Sequence, residues 1–269
     1  MELPKEKGLS IVFSTEERCI YEKNQLVEVI CQLRFPEILS IGAKLPVDFQ
    51  EAIRGEFPRY SARKEQTAPK ITGIPGNLSL ENSEPTINYQ FSTADGVWRV
   101  NLTNKFISLA CNRYTCWEDF AKMLDKPLAA FIRIYQPAYF ERIGLRYVNA
   151  FSRKALDLEG MPFRELFHER YLGILGDEAL NETAAARSTV DADIAIRGGC
   201  RAKLHAGPGV VKRGAAPDQE VKFIFDQDLY LPGKVAVNLS AGALQTLHAQ
   251  AYPIFRDAIT PMLHRAMEP

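Results

Sequence analysis

The sequence predicts an α+β fold made of two similar halves, with a curved antiparallel sheet and helices on one face. An apolar strand ends at Leu33–Phe35, and the related run Leu145–Tyr147 lies in a second such strand. An amphipathic helical stretch, a strand-rich polar region and a longer helix follow each run. We therefore predict a first β/α repeat over residues 1–138 and a second over residues 139–269, packed as one structural domain.

Each element of the first half has a local signal. Leu26–Phe35 alternates apolar and polar residues, which predicts a strand. Pro46 then opens a predicted helix whose apolar residues recur at spacings of four. The polar stretch Tyr60–Pro85 is interrupted by proline and glycine, so we predict short strands joined by a long loop.

A hairpin and a capped helix complete the first half. Thr86–Thr93 and Val97–Leu109 alternate on either side of Asp95-Gly96, a sequence typical of a hairpin turn. The order of Thr115 and Glu118 is that of a capping box, with Thr115 predicted as the N-cap. The helix behind it has an apolar stripe, with a kink predicted at Pro127 and an end at Pro137.

The second half repeats this order. Glu141–Phe151 is predicted as a strand and Pro162–Leu175 as a helix, and Ser240 is predicted to cap a long C-terminal helix. The other predicted strands of this half are Thr189–Ile196, Cys200–His205, Val221–Leu231 and Val235–Leu239.

Each half therefore reads β-α-β-β-β-(β)-α, for which an antiparallel sheet covered by helices on one face is the simple solution. Two such units side by side look like the helix-grip or TATA-binding-protein-like architecture. That comparison concerns the fold and carries no function by itself.

Composition restricts the function classes. Basic and acidic residues balance at 33 each, so a general nucleic-acid binder, which needs excess cationic charge, is not expected. There is neither a signal-peptide core nor an apolar run of membrane-spanning length, and the five cysteines lack a tight pattern. We therefore expect a cytoplasmic protein with reduced thiols and no membrane association.

The polar face of the predicted sheet is the first candidate binding site. Arg34 and Arg146 occupy equivalent places in the two halves, and arginines on a concave surface suit an anionic ligand or an acidic protein segment. The alternative is a solvated face whose arginines pair with neighbouring carboxylates. The candidate residues are Glu28, Gln32, Arg34, Arg99, Asn101, Arg142 and Arg146.

Four aspartates form a second candidate, for a hard cation such as magnesium: Asp191, Asp193, Asp226 and Asp228. Basic residues on the intervening strand offer a competing account, cross-strand charge pairing, which needs no metal. Cys116 begins a helix but has no adjacent histidine to activate it, so we do not expect a nucleophile there. No histidine pair has metal-ligand spacing, no cofactor motif occurs, and we predict neither a metal nor a cofactor.

Two longer segments, Asn24–Pro36 and Arg142–Asn149, together with Trp117–Phe120, resemble a sporadically distributed bacterial family of uncharacterised proteins. Its motifs are "PLVEV…LRF" early in the chain, "Y…W…F" midway and "RIGLRY.N" at the centre, with Gln25 here in place of the usual proline. The resemblance spans essentially the whole chain and brings no catalytic residues. The family's patchy distribution implies horizontally moved genes, as in phage-defence or toxin–antitoxin modules.

Three hypotheses about function follow. The first is a non-enzymatic protein-binding subunit, accessory or antitoxin-like, in such a module, with a homodimer allowed by open sheet edges. The second is a helix-grip protein, ligand-binding or hydrolytic, with an internal apolar pocket lined by Tyr89, Trp98 and Phe225. The third is a nucleic-acid binder that uses a basic group near the first loop: Arg59, Arg63, Lys64 and Lys70.

Overall fold

A computed structural model describes residues 13–65, 70–74, 77–81, 85–213, 216–217 and 220–269. Parts of the predicted 60–85 loop, namely residues 66–69, 75–76 and 82–84, lie outside the described residues. The described chain is mixed α and β with antiparallel strand pairing, which fits the α+β class.

Six α-helices occur among the described residues: α1 (Leu39–Ala43), α2 (Val47–Ile53), α3 (Trp117–Tyr135), α4 (Phe163–Leu166), α5 (Ser240–Ala258) and α6 (Pro261–Ala266). The strands before the centre of the chain are β1 (Leu26–Arg34), β2 (Arg59–Glu65), β3 (Lys70–Ile74), β4 (Asn77–Glu81), β5 (Thr86–Ser92), β6 (Trp98–Leu102) and β7 (Phe106–Cys111). Those after it are β8 (Phe140–Phe151), β9 (Val190–Ala195), β10 (Arg201–Gly209), β11 (Lys212–Arg213), β12 (Ala216–Pro217) and β13 (Lys222–Val235).

The chain divides into two compact units. The first unit comprises Glu28–Gly144 and Gly233–Gly242, and the second comprises residues 13–27, Leu145–Pro232 and Ala243–Pro269. This division gives the described N-terminal segment and the C-terminal helices to the same unit.

Five strands form the sheet of the first unit, in the order β2-β5-β6-β7-β1. Period-two alternation sends Val29, Cys31 and Leu33 of β1 to a fully buried face. Aromatic rings join that face to the helices, since the rings of Phe35 and Phe131 have centroids 4.7 Å apart. Burial of this apolar surface is the main contribution to the stability of the unit.

Four strands form the sheet of the second unit, in the order β8-β13-β10-β9. The rings of Phe167 and Phe223 stack with centroids 3.9 Å apart beneath the helices. The N-terminal segment, residues 13–25, bonds to α5 and α6 at several points. Glu16 accepts a 2.6 Å bond from Arg256 Nε, and the Tyr21 hydroxyl lies 2.8 Å from His264 Nδ1.

Three sequence predictions about local structure are wrong, the first of them at the start of α3. This helix begins after Cys116, which is the N-cap without a side-chain bond, and the Thr115 hydroxyl donates to Asp119 Oδ2 at 3.0 Å instead.

The other two errors lie in the second half. Pro162–Leu175 is not one helix, because Phe167 leaves α4 in an extended conformation to bridge Ile259. Val235–Leu239 is not a strand, because a 3-10 turn follows β13 and leads into α5, where the Ser240 hydroxyl donates to the Val237 carbonyl at 2.8 Å.

Within the described part of the chain, no helix combines the length and apolar character needed to cross a bilayer.

Gly207 provides a test of how closely β10 packs against the segment that leads into β9. A Cβ atom there would lie 2.4 Å from the Ser188 carbonyl oxygen, which is backbone and cannot swing away. We expect Gly207→Ala to lower the free energy of unfolding by roughly 1–3 kcal/mol, measured by urea denaturation. Gly242→Ala, where a Cβ meets nothing within 4 Å, is the control; equal effects of the two changes would contradict the packing.

His264 provides a test by pH. Burial, together with the nearby charge of Arg256, lowers the pKa of His264 below its ordinary value. The unfolded chain therefore takes up the proton first as the pH falls through about 6.5, and stability is lost with falling pH. We expect the urea midpoint to fall less steeply between about pH 8 and pH 5.5 in His264→Gln than in the unchanged chain. Parallel pH profiles would show that His264 does not contribute.

Candidate binding faces

A row of polar side chains crosses the five strands of the first unit on the face opposite its buried core. The pairing registers place its members directly beside one another, and we call this set the polar row: Gln32, Ser108, Asn101, Gln90 and Ser61.

Hydrogen bonds hold the centre of the polar row. Gln90 Nε2 donates to Asn101 Oδ1 at 3.1 Å, and Asn101 Nδ2 donates to Ser108 Oγ at 3.1 Å. Asn101 and Ser108 are only 8% and 4% exposed, while Gln32 and Gln90 at its flanks are half-buried. The buried centre is therefore structural, and the two glutamines are the members of the row that a ligand can reach.

Arginines surround the polar row. Arg34 lies opposite Phe106 at one end, and Arg59 and Arg63 of β2 share the same face at the other end. Within the described residues, none of these three arginines has an ion-pair partner at salt-bridge distance. Guanidinium groups without a paired carboxylate are the groups on this face most able to bind an external anion.

The remaining predicted arginines of this unit, Arg99 and Arg142, lie close to neighbouring residues. Arg99 Nη2 lies 3.3 Å from Glu28 Oε1, which is the carboxylate pairing that the alternative account expects. The guanidinium of Arg142 lies over Gly144. A Cβ atom at position 144 would lie 2.3 Å from Arg142 Nη1, so the missing side chain of Gly144 makes room for the guanidinium. Gly144 thus allows the side chain of Arg142, two residues earlier in β8, to pack against the strand backbone.

One acceptor at the edge of this face has no partner. Asn88 is 5% exposed and donates from Nδ2 to Glu65 Oε1 at 2.7 Å, but its Oδ1 has no hydrogen bond among the described atoms. Arg63 lies directly opposite Asn88. A buried acceptor without a donor costs roughly 1–3 kcal/mol. The Asn88 Oδ1 atom is therefore an acceptor, next to Arg63, that a donor on a bound ligand could satisfy.

The second unit has a charged face with a different character. One row of opposed residues consists of Asp191, His205 and Asp226, and the next consists of Asp193, Lys203 and Asp228. These side chains and Arg146 line an open depression of about 550 Å³.

Acidic and basic side chains on this face are paired across strands. Arg146 Nε donates to Asp226 Oδ1 at 2.8 Å, and Arg146 Nη2 bonds to Asp226 Oδ2. His205 Nδ1 lies 2.7 Å from Asp191 Oδ1, and Arg201 Nε donates to Asp193 Oδ1 at 2.9 Å.

The pKa of Asp193 lies below its usual value although burial opposes this, because Arg201 and Tyr230 bond to the carboxylate. Cross-strand pairing with basic side chains therefore describes the aspartate cluster.

A metal site is not formed by these residues. Across the described ranges, no group of three or more His, Cys, Asp or Glu side chains is placed to hold a metal ion. In the register, Asp191 and Asp226 lie opposite His205, and Asp193 and Asp228 lie opposite Lys203.

The other single residues considered from the sequence have local roles. Cys116 is half-buried at the start of α3, and no described hydrogen bond joins its thiol to a base. His248 Nε2 lies 3.1 Å from Arg18 Nη1, so this nitrogen accepts, and Nδ1, 2.9 Å from the Tyr147 hydroxyl, carries the proton. The first contact fastens the N-terminal segment to α5, and the second joins β8 to α5.

The aromatic residues predicted to line a ligand pocket belong to the packed interiors. Tyr89 is 2% exposed, Phe225 is fully buried beside Tyr171, and the ring of Trp98 packs 5.6 Å from that of Phe120. Trp98 itself is half-buried. None of the three lines the depression of the charged face or a second one of about 900 Å³ around Arg153 and Glu182.

The sequence contained the signal for residues that the predicted site omitted. Asn88 and Gln90 alternate with buried residues in β5, and Arg59 and Arg63 alternate in β2. Following the β5 alternation through the β5–β6 hairpin would have placed Asn88 and Gln90 with Asn101, whereas the placement of Arg59 and Arg63 depends on the pairing of β2 with β5. Lys64, which the sequence groups with Arg59 and Arg63, lies on the opposite face, beside Ile87.

No protein-family model matches the chain, and no curated protein matches it.

Asn101 provides a test of the polar row. Asn101→Ala removes the shared partner of Gln90 and Ser108 in a buried position, so we expect a loss of roughly 1–3 kcal/mol in the free energy of unfolding. Gln32→Ala, at the half-buried end of the row, is the matched control and should cost less. A loss no larger than that of the control would show that the central hydrogen bonds contribute nothing.

Proposed function

We propose that this chain is a non-enzymatic binding protein whose first unit engages an acidic segment of a protein partner through the polar face around the polar row. The observation that carries the proposal is the set of arginines without described ion-pair partners, Arg34, Arg59 and Arg63, flanking reachable amides. Carboxylates of the partner would pair with the guanidinium groups, and Gln32 and Gln90 would bond to its main chain.

The charge distribution favours this face over the charged face of the second unit. Arg146 and Arg201 already bond to aspartates, and His205 lies beside Asp191, so an external carboxylate would have to displace internal ones. On the first unit, only Arg99 of the four arginines Arg34, Arg59, Arg63 and Arg99 is paired with a described carboxylate. Displacement therefore costs least there.

A protein partner is favoured over a nucleic acid. The whole chain is neutral, which removes the general attraction to phosphate backbones. Among the described residues of the five strands, Phe106 is the single aromatic side chain on the polar face, whereas single-stranded nucleic acids bind to several stacking platforms.

We further propose that the two units are versions of one duplicated β-α-β-β-β-(β)-α element, of the helix-grip or TATA-binding-protein-like kind. In support, the first strand of each unit lies beside the last strand of its sheet, β1 beside β7 and β8 beside β13. The other strands follow outward in reverse sequence order, β6, β5 and β2 in the first unit and β10 and β9 in the second, with one strand more in the first unit. Membership of a defence or toxin module stays a prediction from the resemblance, and a cytoplasmic location stays a prediction from composition.

Arg34 provides the test. The probe is a fluorescent extended peptide of alternating glutamate and valine, and its binding is measured by anisotropy at about 0.15 M ionic strength. We expect Arg34→Glu to weaken binding about tenfold or more and Arg34→Lys to retain part of it, because lysine keeps the charge but not the bidentate geometry.

Arg187→Glu, an exposed change of equal charge in the second unit, is the control and should leave the affinity unchanged. Equal weakening by the control, or tighter binding of a single-stranded oligonucleotide than of the peptide, would contradict the proposal.

A further inference from the structure

We propose that two copies of this chain associate along β2, with the two strands antiparallel and Ala62 on the two-fold axis. Open sheet edges allow a homodimer, and this pairing would give it a specific strand register. The pairing is inferred from the open strand edge and not from the polar face, although Arg59 belongs to both. In the dimer, Arg59 would pair with Glu65 of the second copy, which leaves Arg34 and Arg63 for an acidic partner.

Strand β2 is an open edge. It stands at the end of its sheet and pairs with β5 alone among the described residues. All seven of its residues, Arg59–Glu65, are exposed. An edge strand of this kind presents main-chain N–H and C=O groups that another strand can pair with.

The side chains of β2 are complementary to themselves when the strand is reversed. Antiparallel pairing about Ala62 sets Arg59 opposite Glu65 of the second copy, and Glu65 opposite Arg59 in return. On the other face, Tyr60 would lie opposite Lys64 of the second copy, within reach for a cation–π contact. Opposed charges and aromatic pairs of this kind stabilise antiparallel strands.

The pattern selects one register. Sliding one strand by two residues in one direction sets Arg59 opposite Arg63, and sliding it in the other direction sets Arg63 opposite itself. Both shifts therefore place like charges directly across the seam, which is destabilising. A two-fold contact of this type uses the same surface on both copies and closes on itself without forming a fibre.

The faces of β2 suit the pairing. Tyr60 is 48% exposed, and its ring lies 5.5 Å from that of buried Phe91, so it is held in place while one side remains open. Arg59 and Arg63 lie on the face of the polar row. Pairing would therefore join the polar faces of two copies along one seam.

The contact is expected to be weak. Seven residues from each copy are fewer than the roughly 20–30 of a standard interface. The dimer should therefore appear as a concentration-dependent equilibrium, which sedimentation velocity of the full chain without added ligand can follow.

Charge exchange tests the register. Arg59→Glu sets glutamate opposite Glu65 at both ends of the seam, and Glu65→Arg sets arginine opposite Arg59 at both ends. We expect each single change to raise the dimer dissociation constant about fivefold or more, and the double change Arg59→Glu with Glu65→Arg to restore it. Arg187→Glu should leave self-association unchanged. Single changes without effect, or a double change without recovery, would overturn the register.

Cysteine pairing tests the axis directly. Opposed residues in antiparallel strands have Cβ atoms about 4.5–5.5 Å apart, close to the separation in a disulfide. We expect Ala62→Cys to form a cross-linked dimer under mild oxidation, faster than Ser61→Cys, whose residue would face Arg63 of the second copy. A chain that remains monomeric, or equal cross-linking at both positions, would overturn the proposal. Binding of the acidic peptide, tested through Arg34, does not enter this result.

Discussion

The two-residue period of the strands, held in place by antiparallel pairing, is the constraint on which the other features depend. In the first unit it sends Val29 and Leu33 to the helix-covered core and Gln32 and Arg34 to the opposite face. A slip of one residue would exchange these sets and bury the arginines. The buried core and the polar face therefore depend on the same strand register. A change of register that alters one must alter the other.

The polar faces of the two units use that constraint differently. In the second unit, aspartates on two strands flank basic residues on the strand between them, so the charges are matched within the unit. In the first unit the middle of the face is occupied by amides and a hydroxyl, and the arginines stand around it. Matched charges stabilise a surface, whereas unmatched ones remain available for binding.

The sequence predicted well which residues of a strand share a face. The alternation in Leu26–Phe35 and the turn at Asp95-Gly96 correspond to β1 and to the β5–β6 hairpin, in which Asp95 Oδ1 accepts the Val97 N–H at 3.0 Å. Elements decided by distant contacts were predicted poorly. Phe167 leaves its helical segment to bridge Ile259, a residue almost a hundred positions away, and no local pattern reports such a contact.

The candidate site shows the same division. That Arg34 is exposed and lies opposite the core followed from alternation alone, whereas the partner of Arg146 depended on which strand lies beside β8. Asp226 is eighty residues from Arg146 in sequence, and the pairing became evident only from the strand order. Sequence reasoning therefore located the polar surface but could not distinguish its paired arginines from its unpaired ones.

The most direct measurement is a map of backbone and side-chain NMR shifts on titration with the glutamate–valine peptide. The account predicts perturbations at Gln32, Arg34, Phe106 and Gln90 that saturate together, with no change around Asp226 and Lys203. Perturbations confined to the charged face of the second unit, or no saturable perturbation of the first, would contradict it.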